Sequence, residues 1–153
     1  MKAENIKFRG KSKRTGKWLY GDLVRGVGGE CAIVPPLEMS FQYCICDYNV
    51  DKETIGQLVA KIRKSNGDTY EVYSQDIVKL TAYDGEIQHV IVDNRGFVES
   101  KFLEFRTLIQ FVDDFDVEWE VVGNIYDNKQ LLKARMSTTH NLKTCVLAKA
   151  KVD

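Results

Sequence analysis

Apolar and polar residues alternate in short runs along this chain, and turn-forming residues separate the runs at close intervals. That pattern predicts strands and hairpins in preference to long helices. Trp18-Leu19-Tyr20-Gly21-Asp22-Leu23-Val24 is rich in aromatic and branched residues and follows the turn-like Lys13-Arg14-Thr15-Gly16-Lys17. A hairpin results, with Ile6-Lys7-Phe8-Arg9 as the partner strand. After the flexible stretch from Arg25 to Glu30, Cys31-Ala32-Ile33-Val34 reads as a strand stopped by Pro35-Pro36, since proline offers no N–H to a ladder. Phe41 to Tyr48 reads as a further strand.

Punctuation sharpens in the second half. Asn66-Gly67 and Asp84-Gly85 each separate apolar runs, and both dipeptides tolerate the positive φ of tight hairpin turns. Asp76 to Tyr83 should pair across Asp84-Gly85 with Ile87 to Val92, and Asn94-Arg95-Gly96 should turn the chain into Phe97 to Phe102. Val117 to Tyr126 is a last strand, alternating at its start and apolar at its end, as if entering a core. Helix is expected only from Leu103 to Val112 and from Asp127 to Leu132, the latter capped by Asp127 or Asn128. Short strands at this spacing predict a mainly β fold, a small barrel or roll with short helical turns.

Composition narrows the classes. With 153 residues, 44% hydrophobic and 29% charged, the chain has material for one real core or two small ones. Its 22 basic and 22 acidic residues balance, so no global field draws it to nucleic acid or anionic lipid, and any such preference must be local. No apolar run approaches the ~20 residues of a membrane span, and Met1-Lys2-Ala3-Glu4-Asn5 lacks the apolar core of a signal peptide. A cytoplasmic protein without a membrane partner is therefore expected. Cys31, Cys44, Cys46 and Cys145 are too few and too irregular for a disulfide framework, so reduced thiols are the default.

Each candidate for chemistry has a plainer reading beside it. Cys44-Ile45-Cys46 puts two thiols on one strand face, half of a thiolate site completed by Cys31 or Cys145. Structural zinc prefers two pairs spaced two to four apart, so buried apolar thiols are expected and no metal or cofactor. His89 and His140 have no nucleophile motif beside them. Asp84, Glu99 and Lys101 mimic the acidic and Glu-x-Lys pattern of metal-dependent nucleases, but Asp84 is better read as a turn residue. Asp113-Asp114-Phe115-Asp116, with Glu118 and Glu120, lacks the alternating ligands and glycine of a calcium loop and reads as a solvated acidic segment.

The best binding signal is the N-terminal hairpin, where Lys7, Arg9, Lys11, Lys13, Arg14 and Lys17 accompany Phe8, Trp18 and Tyr20. Cations would release counterions from a nucleic-acid backbone while an exposed ring stacks on a base, which makes Lys11, Lys13, Arg14, Lys17, Trp18 and Tyr20 the candidate nucleic-acid site. The plainer reading puts Trp18 and Tyr20 in the core. Lys133, Arg135, Lys143, Lys149 and Lys151 make the tail basic while Glu99 to Glu120 is acidic, so self-association through these surfaces is an alternative.

Phe8-Arg9-Gly10-Lys11 followed by Trp18-Leu19-Tyr20-Gly21-Asp22-Leu23 resembles the YopX family of phage and prophage proteins. Asn49 to Gln57, Asn66-Gly67 with Val72 to Leu80, and Glu120-Val121-Val122-Gly123-Asn124-Ile125-Tyr126-Asp127-Asn128 resemble later parts of that family in the same order. Two departures stand out: Lys52 where the family usually has proline, and Ser74-Gln75 where it has a Glu-Gly pair before the aspartate. The resemblance, which runs from about Ile6 to Leu132, implies an N-terminal β subdomain (residues 1–55) and an SH3-like β-barrel (56–132), and the basic tail (133–153) lies beyond it. It carries no enzyme activity and no site residue onto this chain. The functional expectation is a non-enzymatic β-rich binding module acting on nucleic acid or on a host or phage protein, with a homo-oligomeric accessory protein and a metal-dependent nuclease as alternatives.

Overall fold

The computed structural model describes residues 6–36, 45–64, 67–82, 84–100, 103–110 and 118–132. The chain is mainly β, and among the described residues every strand pairing is antiparallel. The strands are β1 (Phe8–Ser12), β2 (Trp18–Arg25), β3 (Cys31–Val34), β4 (Val50–Arg63), β5 (Thr69–Tyr73), β6 (Asp76–Thr81), β7 (Ile87–Ile91), β8 (Phe97–Ser100), β9 (Leu103–Thr107) and β10 (Glu118–Asn124). They form a five-stranded sheet in the order β3-β2-β1-β4-β5, a three-stranded sheet β10-β6-β7 and the β8-β9 hairpin. Among the described residues these sheets do not close into one barrel.

Four expected hairpins are present. β1 pairs with β2 in the register Phe8↔Gly21, β4 with β5 across a reversal in which Gly67 holds φ 91°, and β6 with β7 around Asp84-Gly85. Gly96, at φ 80°, turns the chain into β8, where the Asp93 carboxylate accepts the amides of Arg95 and Phe97. β4 ties the two halves together: its residues from Val50 to Gln57 pair with β1, and those from Leu58 to Arg63 pair with β5. Thr54, Gly56, Leu58, Ala60 and Ile62 are buried at every second position while solvent takes most of the others.

One core is built from Ala60, Ile62, Val72, Val78, Leu80, Val90, Val92, Val98, Leu108 and Trp119, so β4 to β8 and β10 all contribute to it. Trp119 enters from β10, as its alternation predicted, and meets Tyr70 edge-on with ring centroids 5.7 Å apart. A smaller buried group, Ala32, Ile33 and Val50, lies under the N-terminal strands.

Two expected elements differ. Phe41 to Cys44 lie outside the described residues, but Ile45–Tyr48 is a 3-10 turn where a strand was expected. The chain must reverse there, because Asn49 carries its carbonyl to the Lys13 amide and Val50 opens β4 beside β1. Leu103 to Thr107, expected as helix, is β9, paired through Phe97↔Thr107 with β8. Among the described residues of this segment helix is seen over 108–110, where the Leu108 amide reaches the Gly96 carbonyl, so over Leu103 to Thr107 pairing with β8 overrides local propensity. The short turn ending at Leu132 is present, but Asn128 turns its side chain back to accept the Asn124 amide instead of capping.

Between β5 and β6 the chain turns at Ser74-Gln75, and Gln75 holds φ 70°, the left-handed region that penalises a β-carbon. Among the described residues its side chain gains a long 3.5 Å contact to Asn94. Gln75→Gly is therefore expected to stabilise the protein by about 0.5–1 kcal/mol, the relief of the left-handed penalty less the added chain entropy of glycine. A rise in the urea midpoint at unchanged slope checks this; a fall would mean that the Gln75 side chain contributes more than the backbone loses.

Candidate functional site

Lys7, Arg9 and Lys11 occupy alternate positions leading into and along β1, so their side chains share one face. Each meets one acid brought from far along the chain. Lys7 Nζ donates to Glu71 Oε2 at 2.6 Å, Arg9 Nη1 to Asp76 Oδ1, and Lys11 Nζ to Asp127 Oδ1 at 2.6 Å. The face that carried the basic signal in the sequence is thus the seam between the N-terminal sheet and the strands that follow.

Arg9 is the buried member, 5% exposed. Its guanidinium lies 4.9 Å from the Trp18 ring centroid and 5.2 Å from that of Tyr73, and Nη2 donates to the Ser74 carbonyl at 3.1 Å. Nε is buried with no partner among the described residues. Gly56 makes this burial feasible: a β-carbon there would stand 2.8 Å from the Ser74 carbonyl oxygen and 3.4 Å from Arg9 Nε. The other Asp76 oxygen accepts the Tyr73 amide at 2.8 Å. Burial pushes the Asp76 carboxyl up, against the pull of the Arg9 charge and the Tyr73 amide.

Glu71 also accepts the Tyr73 hydroxyl at 2.7 Å, and Lys61 approaches its second oxygen at 3.7 Å. Burial alone would raise its carboxyl, but hydrogen bonds from Lys7 and Tyr73 bring it below the ordinary range, so it stays ionised at neutral pH. Burial, with the carboxylate beside it, pushes the Tyr73 phenol far up, which keeps it a neutral donor. Tyr20 packs edge-on against Tyr73 at 5.4 Å and remains 41% exposed. A recess of about 450 Å³ opens here, lined by Arg9, Tyr20, Glu71, Tyr73, Asp76 and residues 121–124 of β10.

The exit of β10 latches onto the hairpin. Asn124 Oδ1 accepts the amides of Tyr126 and Asp127, and Tyr126 Oη donates to the Glu53 carbonyl. Asp127 accepts from Lys11 and, at 2.7 Å, from the Trp18 indole. Those two bonds, Lys11 first, hold its carboxyl below the usual aspartate range. A folded value below the unfolded value of about 3.9 stabilises the protein above that value and is lost as pH falls through the folded one. Asp127→Asn should therefore narrow the gap between urea midpoints at pH 7 and pH 3, while costing less than about 1 kcal/mol at pH 7 because the pair is solvent-screened. An unchanged gap would remove the latch from the acid response.

The six candidate nucleic-acid residues separate into two places. Lys11 and Trp18 are engaged with Asp127, and Tyr20 lines the recess. Lys13, Arg14 and Lys17 stand exposed at the β1–β2 turn, with Arg14 3.2 Å from Asp47. Trp18 is half-buried, between the core and open-surface readings. Of the remaining candidates, Asp84 accepts the Glu86 amide as a turn residue, Glu99 lies exposed on β8, and Lys101 is outside the described residues. His89 is half-buried in β7. Cys46 is exposed in the 3-10 turn and Cys31 half-buried, so neither is the buried apolar thiol expected. Cys44, Cys145, His140, Asp113 to Asp116 and the basic tail are outside the described residues. Among the described residues no three His, Cys, Asp or Glu side chains gather as metal ligands, and no helix is long and apolar enough to cross a membrane.

Glu71, Tyr73 and Asp76 were not singled out as a site from the sequence. The available signal was the two-residue period of Lys7, Arg9 and Lys11, which marks one face in search of acids but does not say which acids. The segments that carried the family resemblance converge on this seam: the first hairpin supplies Arg9, Lys11, Trp18 and Tyr20, the β5–β6 turn supplies Asp76, and the β10 exit supplies Asn124 and Asp127. No curated protein and no solved structure matches the chain. A family model described as YopX protein matches residues 7–133, and with most of the chain covered this protein belongs to the YopX family.

Proposed function

We propose that the protein is a non-enzymatic binding module whose recognition site is the seam recess. One observation carries this reading: a recess of about 450 Å³ presents an exposed Tyr20 while its two carboxylates are already engaged, Glu71 by Lys7 and Tyr73, and Asp76 by Arg9 and the Tyr73 amide. Groups held in this way supply shape, an aromatic surface and fixed charge, which are the requirements of recognition. They have little freedom to exchange protons with a substrate. The strands from β4 onward, packed round one core, are read as an open SH3-like barrel following an N-terminal β subdomain. The phage or prophage setting and a cytoplasmic location belong to the same reading.

The test is a photo-crosslinking residue placed at Tyr20 and, separately, at Ile87, which is exposed on β7 away from the recess-lining residues. A discrete adduct in cells from position 20 but not 87 supports the proposal. Equal labelling, or none, defeats it, as would metal-dependent turnover of DNA or RNA that Glu99→Ala abolishes. A nucleic-acid reading is favoured by the exposed Lys13 and Lys17, which make no ion pair among the described residues. It requires salt-dependent affinity that falls when Lys13, Arg14 and Lys17 are replaced.

A further inference from the structure

Beside the recess an ammonium group stands between two of its lining residues, Glu71 and Tyr20. Lys7 Nζ hydrogen-bonds Glu71 Oε2 and lies 5.9 Å from the centroid of the exposed Tyr20 ring. Tyr73 Oη, donating to the same carboxylate oxygen, fixes the carboxylate in place. An aromatic face beside an oriented, ionised carboxylate is the geometry that holds an organic cation. Lys7 and Glu71 are each about 30% exposed as side chains, at 29% and 31%. Such a pair contributes at most about 1 kcal/mol and yields readily to a better cation.

From this geometry we propose that the mouth of the recess binds an arginine side chain presented by a partner polypeptide, which displaces Lys7 from Glu71. The inference rests on the recess being the recognition site. Arginine is favoured over lysine because, among the described residues, the group nearest Glu71 Oε1 is Lys61, at 3.7 Å, beyond hydrogen-bond distance. A guanidinium fork takes Oε1 together with the position on Oε2 that Lys7 vacates, and its plane stacks on Tyr20. Lys7 stays tethered beside β1, so its ammonium swings from Glu71 into solvent as the guanidinium enters, where water screens the charge that remains. Lys7 thereby acts as an internal competitor that sets a threshold for binding.

The experiment titrates the full chain with the peptide acetyl-Gly-Arg-Gly-amide and its citrulline counterpart, which has nearly the same shape and no charge, following amide shifts by NMR. The arginine peptide is expected to shift Tyr20, Glu71 and Tyr73, and the citrulline peptide to leave them in place. Lys7→Gln should tighten arginine binding about two- to five-fold, the equivalent of the lost competing pair. Adding Glu71→Gln should abolish it. Lys7→Met, which keeps most of the aliphatic stem, provides the same comparison if glutamine disturbs the strand. Equal responses to arginine and citrulline, or no gain in either folded Lys7 variant, overturn the arginine proposal while leaving the recess reading to the crosslinking test. Absence of both peptide shifts and a position-20 adduct ends both.

Discussion

Arg9→Ala is expected to cost about 3–5 kcal/mol, because it leaves the Asp76 carboxylate buried without its cation. The alternative placements for that charge are poor. Asp76 is 2% exposed, its second oxygen is held by the Tyr73 amide, and the nearby Ser74 carbonyl also loses a donor. The guanidinium is moreover the filling between Trp18 and Tyr73, so truncation opens a void between two rings. Arg9→Lys should recover only part of the loss, since an ammonium cannot serve Asp76 and the Ser74 carbonyl through a planar fork while stacking on the rings. The decisive measurement is a double-mutant cycle with Asp76→Ala by urea unfolding. A large coupling energy is expected, because once one partner is gone the second costs less to remove. A single-variant loss below about 1 kcal/mol would mean that the buried pair adds little to what the β4 pairings and the other contacts already hold together.

Gly21→Ala should produce the next largest effect, in a different place. A β-carbon at Gly21 would lie 1.9 Å from the Val34 carbonyl oxygen, 2.5 Å from its carbon and 2.7 Å from Pro35 Cα. These are backbone atoms that cannot rotate away, so β3 must separate from β2 where Asp22 pairs with Val34. Forced expansion of this kind costs about 1–3 kcal/mol, with the upper end expected for a backbone collision. Hydrogen exchange should accelerate in Cys31–Val34 and in the facing residues Asp22–Arg25, and leave β6 and β7 protected. Gly16→Ala is the control: at φ 68° it has nothing within 4 Å of the added carbon, so it should lose about 1 kcal/mol through backbone strain without detaching β3. Equal and unlocalised losses from the two variants would contradict the steric explanation.

The strands were legible where local chemistry decides them. Asn66-Gly67, Asp84-Gly85 and Asn94-Arg95-Gly96 mark reversals because their residues accept positive φ, and the runs between them alternate as a half-buried sheet requires. Leu103 to Thr107 shows the limit: as an isolated peptide it has no strong reason to be extended, and only β8 beside it makes it a strand. Ile45–Tyr48 fails in the opposite sense, apolar enough for a strand but needed as a turn ahead of β4.

The basic hairpin teaches the same lesson about sites. From sequence, Lys7, Arg9 and Lys11 with Trp18 and Tyr20 have the composition of a nucleic-acid surface, and nothing local distinguishes that from an internal seam. The distinction depends on Glu71, Asp76 and Asp127, which lie 64, 67 and 116 positions away from their partners. By itself, then, the sequence determined the β class, the hairpin turns, the family and the single face on which the N-terminal cations lie, because turn conformation, side-chain alternation and motif order are properties of neighbouring residues. Only the tertiary structure decided that those cations are met by acids, that Arg9 is buried between two rings and that a recess remains beside Tyr20, because ion pairing and burial depend on which distant strands the fold brings together.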